Sequence, residues 1–232
     1  MISDDREWLV LARNYLQFQV NAGLVEFLPV RVRANPQQQA SLEVIRKRLE
    51  GCTRCPLHAH RRTIVFGEGN PHAQLMFIGE APGADEDRQG RPFVGKAGQL
   101  LTRMIQAMNL RREDVYIANT VKCRPPRNRT PAREEIDTCL PFLDEQIQTV
   151  GPKVIIALGK VAACALLGVD LSISDLRGRF HPRGDVQVMP TYHPSFLLRQ
   201  ENERRYKAET WADLKQVMEL LGLARHQPGE RQ

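Results

Sequence analysis

The sequence predicts an α/β fold in which a mostly parallel β-sheet is covered by helices on both faces. From residue 74 onward, short apolar runs alternate with longer amphipathic segments, which is the pattern of successive strand–helix units. Three of the apolar runs end in turns rich in polar residues and in glycine or proline. Because such turns meet at one edge of a parallel sheet, the sequence predicts a single crevice built from distant segments.

The individual elements follow from hydrophobic periodicity and from turn residues. The predicted strands cover residues 63–66, 74–78, 114–118, 153–158 and 186–190. The predicted helices after residue 40 cover residues 42–49, 96–108, 132–149, 160–167 and 204–221.

Three regions are predicted along the chain. Residues 1–40 form an N-terminal extension, helical over residues 1 to about 22 and followed by a linker at residues 35–39, Asn-Pro-Gln-Gln-Gln. Residues 41–224 form the main domain, and the polar residues 225–232 form a disordered tail.

Composition favours a soluble protein of the cytoplasm. No apolar run approaches the roughly 18 residues of a transmembrane helix, and the acidic N-terminus is unlike a signal peptide. The formal net charge of +6 suits a polyanionic partner, although this excess alone says little about binding. Cytosolic thiols stay reduced, so grouped cysteines are expected to be metal ligands or catalytic groups rather than disulfides.

The connection after the predicted strand 74–78 is unusually long. It spans roughly sixteen residues, whereas a connection between a strand and a helix usually takes about 2–6. It contains two glycine-rich turns, 79–83 and 90–95, separated by three successive acidic residues. A functional loop is therefore expected here, and its first polar residue, Glu80, would face the crevice with Asn119 and His193 from two other strand ends.

Four of the five cysteines are spaced as expected for ligands of a metal ion or a cluster. Cys52 and Cys55 have the C-x-x-C spacing, and Cys123 and Cys139 lie on either side of a loop and a helix. Four thiolates match structural zinc or an iron–sulfur cluster, and the long second spacing favours the cluster. Cys164 lies on an apolar helix face and is assigned to the core.

Two further stretches suggest nucleic acid. Residues 122–133 carry five cations and no acid among stiffening prolines, which favours phosphate binding over a merely solvated loop. After His193, the apolar residues Phe196, Leu197 and Leu198 are either core residues or a wedge that enters a base stack.

Taken together, these residues resemble the family 4 (iron–sulfur) uracil-DNA glycosylases. The resemblance covers about residues 41–222 and is carried by GEAPGADED, GRPFVGKAG, ANTVKCRPP, the YHPS turn and the spacing of the four cysteines. It implies a three-layer α/β/α sandwich with a central four-stranded parallel sheet. It also implies a [4Fe–4S] cluster on Cys52, Cys55, Cys123 and Cys139, and hydrolysis of the N-glycosidic bond of deoxyuridine in DNA.

The resemblance also implies a role for each site residue. Glu80, Asn119 and His193 would be catalytic. Uracil would be bound by Ala81, Gly83, Glu86, Phe93 and Asn119. From the basic stretch and the turn after His193, DNA contacts are expected from Lys122, Arg124, Arg127, Arg129, Ser195, Leu197, Leu198 and Arg199. By the resemblance, Leu197 or Leu198 would fill the hole left in the duplex. The expected partner is uracil-containing DNA, single- or double-stranded, with no membrane association, and the protein is expected to be a monomer.

Three rival interpretations remain open at this point. One is a related iron–sulfur branch that is covalently trapped on its product through a histidine in a basic insertion, although the loop after Cys123 is short and contains no histidine. Another is a non-catalytic nucleic-acid-binding module with structural zinc. The last is a nucleotide-binding α/β protein that cradles phosphate at residues 79–83, where the neighbouring acidic residues would repel it.

Overall fold

The structure is a computed structural model that describes residues 41–200 and 203–223. The predicted helical extension and linker, residues 1–40, and the predicted tail, residues 225–232, lie outside the described residues. Within the described ranges, no helix has both the length and the apolar character needed to cross a membrane.

The centre of the described domain is one six-stranded mixed sheet with the order β1-β3-β2-β4-β6-β5. Its strands are β1 Glu68–Gly69, β2 Leu75–Gly79, β3 Tyr116–Asn119, β4 Val154–Leu158, β5 His181–Arg183 and β6 Val186–Thr191. The four central strands are parallel, which confirms the expected four-stranded parallel sheet. Two short antiparallel edge strands, β1 and β5, were not predicted.

Eight α-helices are described around this sheet. They are α1 Leu42–Leu49, α2 Ala84–Gln89, α3 Lys96–Ala107, α4 Arg133–Val150, α5 Lys160–Leu167, α6 Ile173–Leu176, α7 Pro194–Arg199 and α8 Arg204–Leu220. The five helices predicted after residue 40 are confirmed to within one residue at each end. The predicted strand 63–66 is wrong, because only Val65 in that stretch makes a strand-like bond, from its N–H to the Lys122 carbonyl.

The two faces of the sheet bury separate apolar clusters, which makes the domain a three-layer sandwich. Phe77 of β2 packs in a cluster with residues of α3 and α8. Its neighbours Met76 and Ile78 point to the opposite face and pack with residues of α4 and α5. This alternation follows from the two-residue period of a strand, and burial on both faces explains why the central strands are continuously apolar.

The register of the parallel strands places the predicted site residues at one edge. Gly79 at the end of β2 lies opposite Asn119 at the end of β3, and Leu158 of β4 lies opposite Thr191 of β6. Glu80 and His193 follow these strand ends by one and two residues. Hence the carboxyl edge of the sheet gathers residues that lie more than a hundred positions apart in the chain.

Candidate active site

A cavity of about 820 Å³ opens at this carboxyl edge. Its size lies within the range of small-molecule sites, roughly 300–1,000 Å³. Glu80, Asn119 and His193 all line it, as the sequence predicted. The other predicted site residues that line it are Ala81, Gly83, Glu86, Phe93, Arg129, Ser195 and Arg199.

The Asn119 amide is held at the cavity wall with an unused acceptor. The residue is 1% exposed, and its Oδ1 atom has no hydrogen-bond partner. A buried acceptor without a partner costs about 1–3 kcal/mol, so such atoms are rare unless a ligand satisfies them. The amide can accept at Oδ1 and donate at Nδ2, which suits a ligand edge that presents a donor beside an acceptor.

Phe93 is fixed by an arginine that sequence reasoning missed. The backbone of Phe93 lies in the left-handed region, with φ of 52°. Arg112 donates to the carbonyl oxygens of Phe93 and Pro92 at 3.1 and 2.8 Å, and it pairs with Glu68 at 2.6 Å. The ring centroid of Phe93 then lies 5.7 Å from that of His193. No motif in the sequence marks Arg112, because its role depends on contacts with distant residues.

Gly79 provides the space in which Phe93 and Asn119 meet. A Cβ atom at residue 79 would lie 2.5 Å from Cζ of Phe93 and 2.6 Å from Oδ1 of Asn119. The glycine is therefore required by close packing at the cavity floor rather than by a special backbone angle.

We expect Gly79→Ala to impair the cavity more than the fold. Overpacking should lower the free energy of unfolding by about 1–3 kcal/mol. Displacing two cavity side chains should lower the rate of the reaction at this site by up to about 10²-fold, since such rates fall steeply with misplacement of about 1 Å. Gly184→Ala is the control: it strains a left-handed turn with φ of 60° and meets nothing within 4 Å. Equal activity losses in the two variants would contradict this account.

His193 is held as a neutral imidazole with its proton on Nε2. The backbone N–H of Ser195 donates to Nδ1 at 3.1 Å, and the Ser195 hydroxyl lies 2.8 Å from the same atom. Nδ1 therefore acts as an acceptor, which leaves Nε2 as the protonated nitrogen. Burial, with a smaller contribution from the nearby Arg199 charge, lowers the pKa of His193 to about 4. The imidazole thus donates one hydrogen bond without being charged.

Glu80 begins the long loop and is partly buried. Burial raises the pKa of its carboxyl group, and a hydrogen bond with the Thr130 side chain partly opposes this rise. The Glu80 carbonyl accepts from the N–H of Val121 at 3.2 Å, so the two loops after β2 and β3 are joined at the cavity.

The acidic run that follows is a structural element, helix α2, rather than a free acidic loop. Glu86 is 9% exposed, and its Oε1 atom accepts from the N–H groups of Val94 and Gly95, both at 2.9 Å. Asp87 accepts from the N–H of Arg62 at 2.8 Å. Glu86 therefore ties together the two ends of the loop that carries Phe93, while it also lines the cavity.

The four predicted ligand cysteines meet at a second, small cavity of about 20 Å³. It is lined by Cys52, Cys55, Cys123 and Cys139, together with Lys122 and Arg61 among others. Arg61 donates to Sγ of Cys123 at 3.3 Å, and burial raises the pKa of that thiol to about 11 despite this contact. Among the His, Cys, Asp and Glu side chains of the described residues, no group of three or more is arranged to hold a metal ion.

Cys164 lies apart from this cavity. It packs against the cluster between the sheet and helices α4 and α5, and it is partly rather than fully buried. Its thiol donates to the Leu171 carbonyl oxygen at 3.4 Å.

The assignment of Lys122 to DNA binding is wrong. Its side chain is fully buried, and Nζ donates to the backbone carbonyl of Asn119 at 2.7 Å. Burial lowers the pKa of Lys122 to about 8, although the neighbouring Cys139 opposes this shift. An ammonium group enclosed in this way cannot contact a phosphate on the surface.

The assignment of Leu197 to DNA is also wrong. Leu197 is 3% exposed and packs in the apolar cluster beneath α7, so it cannot enter a base stack. Leu198 on the same helix is partly exposed and stays available for this role. The sequence pattern could not separate the two leucines, because either could face the core.

Among the remaining cations of the basic loop, Arg124 and Arg127 do not line the cavity. Arg129 lines the cavity and pairs with Glu135 at 2.7 Å. Arg124 donates to Asn128 at 2.7 Å, and Arg127 is exposed with a left-handed φ of 54°. Arg199 also lines the cavity and contacts Ser195 at 3.5 Å. Arg129 and Arg199 thus place positive charge at the cavity, next to an exposed basic loop, which suits a polyanion.

A comparison with known families defines the class to which this fold and site belong. The family model of the uracil DNA glycosylase superfamily matches residues 66–215, a span that includes the strands and every residue lining the large cavity. The class is thus an α/β domain of that superfamily.

Similar proteins specify the branch. The chain is 49% identical over 167 residues to a type-4 uracil-DNA glycosylase of Thermotoga maritima, covering 71% of this chain and 87% of the relative. It is 43% identical over 189 residues to a type-4 enzyme of Sulfurisphaera tokodaii, covering 78% and 84%. A type-5 enzyme of Pyrobaculum aerophilum is 32% identical over 200 residues, covering 72% and 87%. The chain belongs to the type-4 uracil-DNA glycosylases.

Proposed function

We propose that the protein is a DNA N-glycosylase that removes uracil from DNA as the first step of base excision repair. It hydrolyses the bond between the base and deoxyribose, which releases uracil and leaves an abasic site. The observation that carries this proposal is the meeting of Glu80, Asn119 and His193 with Phe93 in one cavity of a uracil-DNA glycosylase domain.

Recognition begins with a uridine that has left the base stack, because the reacting bond cannot be reached within the duplex. Phe93 stacks on the extruded ring. The Asn119 amide accepts from N3–H of uracil at Oδ1 and donates to O4 at Nδ2, and this pattern rejects the amino-bearing edge of cytosine. The unpartnered Oδ1 atom of Asn119 supports this role. Glu86, with Ala81 and Gly83, closes the remaining wall of the pocket and excludes the methyl group of thymine.

Bond cleavage leaves negative charge on uracil, and His193 stabilises it. The neutral imidazole donates a hydrogen bond from Nε2 to O2 of the departing base. It thus acts as a preorganised donor of the oxyanion-hole type. Because the pKa of His193 is lowered to about 4, donation needs no protonation at neutral pH. Glu80 and the backbone around Ala81 position the water that adds to the sugar. Stabilisation of the leaving base contributes more to the rate than activation of this water.

The DNA backbone is held by the basic loop and by Arg199 beside the cavity. The residues proposed to contact DNA are Arg124, Arg127, Arg129, Ser195, Leu198 and Arg199. The arginines contact phosphates, and Leu198 fills the gap left by the extruded nucleotide. We further propose that the protein acts as a monomer in the cytoplasm, as predicted from its sequence.

The activity is tested with two oligonucleotides that differ only in one base. Duplexes with a single deoxyuridine or a thymidine at the same position are incubated with the purified protein, treated with alkali and separated on a denaturing gel. We expect strand cleavage at uracil alone and no protein–DNA adduct before alkali. Absence of cleavage at uracil would refute the glycosylase, and a stable adduct would instead indicate the covalently trapped branch.

We propose that Cys52, Cys55, Cys123 and Cys139 hold a [4Fe–4S] cluster. All four line the same small cavity together with Arg61 and Lys122, and Arg61 donates to Sγ of Cys123 at 3.3 Å. A cluster places each thiolate on a different iron, so its ligands need not converge on one ion as in a tetrahedral zinc site. When bound, the cluster supplies a structural crosslink rather than chemistry at the substrate. These residues would then tie the segment after α1 to the turn after β3 and to α4.

Replacing a ligand cysteine should remove the colour of the protein. We expect wild-type protein to be brown and to contain about four iron atoms per chain. Cys55→Ala should lose the visible absorbance and melt at lower temperature, because the metal contributes to folding. Cys164→Ala is the matched control, since its thiol lies elsewhere, and it should keep iron and colour. A colourless wild-type protein that contains zinc would contradict the cluster.

A further inference from the structure

The turn between Asn119 and Cys123 belongs to both sites described above. Asn119 lies at the large cavity, and Cys123 lies at the cysteine cavity four residues later. The turn is also bonded to the loop after β2. The N–H of Thr120 donates to the Gly79 carbonyl at 2.9 Å, and the N–H of Val121 donates to the Glu80 carbonyl at 3.2 Å. A displacement at the cysteines would therefore reach the residues that contact the substrate.

Lys122 makes this connection through its side chain. Its ammonium lies in the protein interior and donates to the Asn119 carbonyl at 2.7 Å, the residue lines the cavity of the four cysteines, and its charge interacts with Cys139. A buried charge is costly unless an opposite charge compensates it. Among the neighbours of Lys122, the cysteines of this cavity are the groups that become negative when they ligate metal. Four thiolates around either a zinc ion or an iron–sulfur core give a centre with net negative charge.

We propose that Lys122 is a positioning residue that couples the metal centre to base recognition. The thiolates neutralise its ammonium group, and the ammonium group fixes the Asn119 carbonyl at the end of β3. The Asn119 amide is thereby held at the angle at which it contacts the base. The part that concerns Asn119 rests on the proposed function, whereas the pairing of charge with the thiolates does not.

The test uses Lys122→Met, which removes the charge and the donor but keeps an unbranched apolar chain. Lys122→Gln removes the charge and keeps a donor. Lys153→Met is the control, because Lys153 is exposed and directly precedes β4. It therefore lies at the amino-terminal ends of the parallel strands, away from the site at their carboxyl ends. Two properties are measured on iron-loaded protein. One is the half-life of the visible absorbance in the presence of a chelator, and the other is the single-turnover rate of uracil excision at saturating enzyme.

For Lys122→Met we expect a several-fold shorter half-life and an excision rate lowered by about 10–10²-fold, as for a misplaced contact residue. Affinity for undamaged duplex should not change, because the buried Lys122 contacts no phosphate. Lys122→Gln should shorten the half-life similarly but retain more of the excision rate. Lys153→Met should match wild type in each measurement.

Several results would overturn the proposal. One is an unchanged half-life and excision rate in Lys122→Met, and another is a loss of duplex affinity with excision intact. If Lys122→Met does not fold, a wild-type half-life in Lys122→Gln would likewise refute the charge pairing. If the wild-type protein had no excision activity, the proposed function would be refuted instead. The half-life of the visible absorbance in the variants would then still show whether Lys122 pairs with the thiolates.

Discussion

His193→Ala should lower the single-turnover rate of uracil excision by on the order of 10²–10³, the loss typical of removing one oxyanion-type donor. The Nε2 proton of the neutral imidazole faces the negative charge that develops on the departing base, and alanine cannot replace this donor. Glu80→Gln is the comparison, and its loss should be distinctly smaller. If Glu80→Gln were the more damaging change, activation of water would dominate and the proposed ranking would be reversed.

The pH dependence of the single-turnover excision rate gives a second test of the protonation state of His193. With the pKa of His193 lowered to about 4, the imidazole stays neutral and the rate should show no histidine titration between about pH 5 and 8. The folded protein then binds fewer protons at this residue than the unfolded chain, whose ordinary histidine pKa is about 6.5. Its contribution to stability is therefore full above about pH 6.5 and is lost as the pH falls towards 4.

Asn119→Leu should reduce excision by about 10²–10³-fold. The change keeps a similar side-chain volume but leaves two polar groups of uracil unpaired in the pocket, at about 1–3 kcal/mol each. The rate is measured under single-turnover conditions at saturating enzyme, so that weaker binding does not account for the loss.

The control for Asn119→Leu is the same substitution at Asn70. That side chain accepts from the N–H of His72 in the turn before β2, away from the cavity. Asn70→Leu should lose some stability and keep its excision rate. If the loss of activity in each variant were proportional to the decrease in its melting temperature, the role of Asn119 would be to stabilise the fold rather than to recognise uracil.

Much of the site could be predicted from local sequence, because a parallel sheet brings the carboxyl ends of its strands, and the residues that follow them, to one edge. The strand ends at Gly79 and Asn119, and the turn at His193, are each marked by a switch from apolar to polar residues. Once the strands are parallel, their carboxyl ends share an edge, and the residues after them meet. The prediction therefore needed the order of elements but no knowledge of individual contacts.

The errors concern which way a side chain faces, which depends on contacts between distant residues. Lys122 lies in a basic stretch that suggested a surface loop, yet its turn packs against the loop after β2 and its ammonium is enclosed. Leu197 and Leu198 are adjacent on α7, and only the packing against α3 and α8 decides that Leu197 is buried. The role of Arg112 could not be predicted from local sequence, because the carbonyl groups to which it donates are about twenty residues away in the chain.

The central claim is that three strand ends bring a carboxylate, a carboxamide and an imidazole around one extruded pyrimidine. A crystal structure of the protein bound to free uracil, or to duplex DNA with a non-hydrolysable deoxyuridine analogue, tests this most directly. We predict Phe93 stacked on the ring, Asn119 bonded to O4 and N3, and Nε2 of His193 bonded to O2. Uracil bound outside this cavity, or within it without contact to Asn119 and His193, would contradict the account.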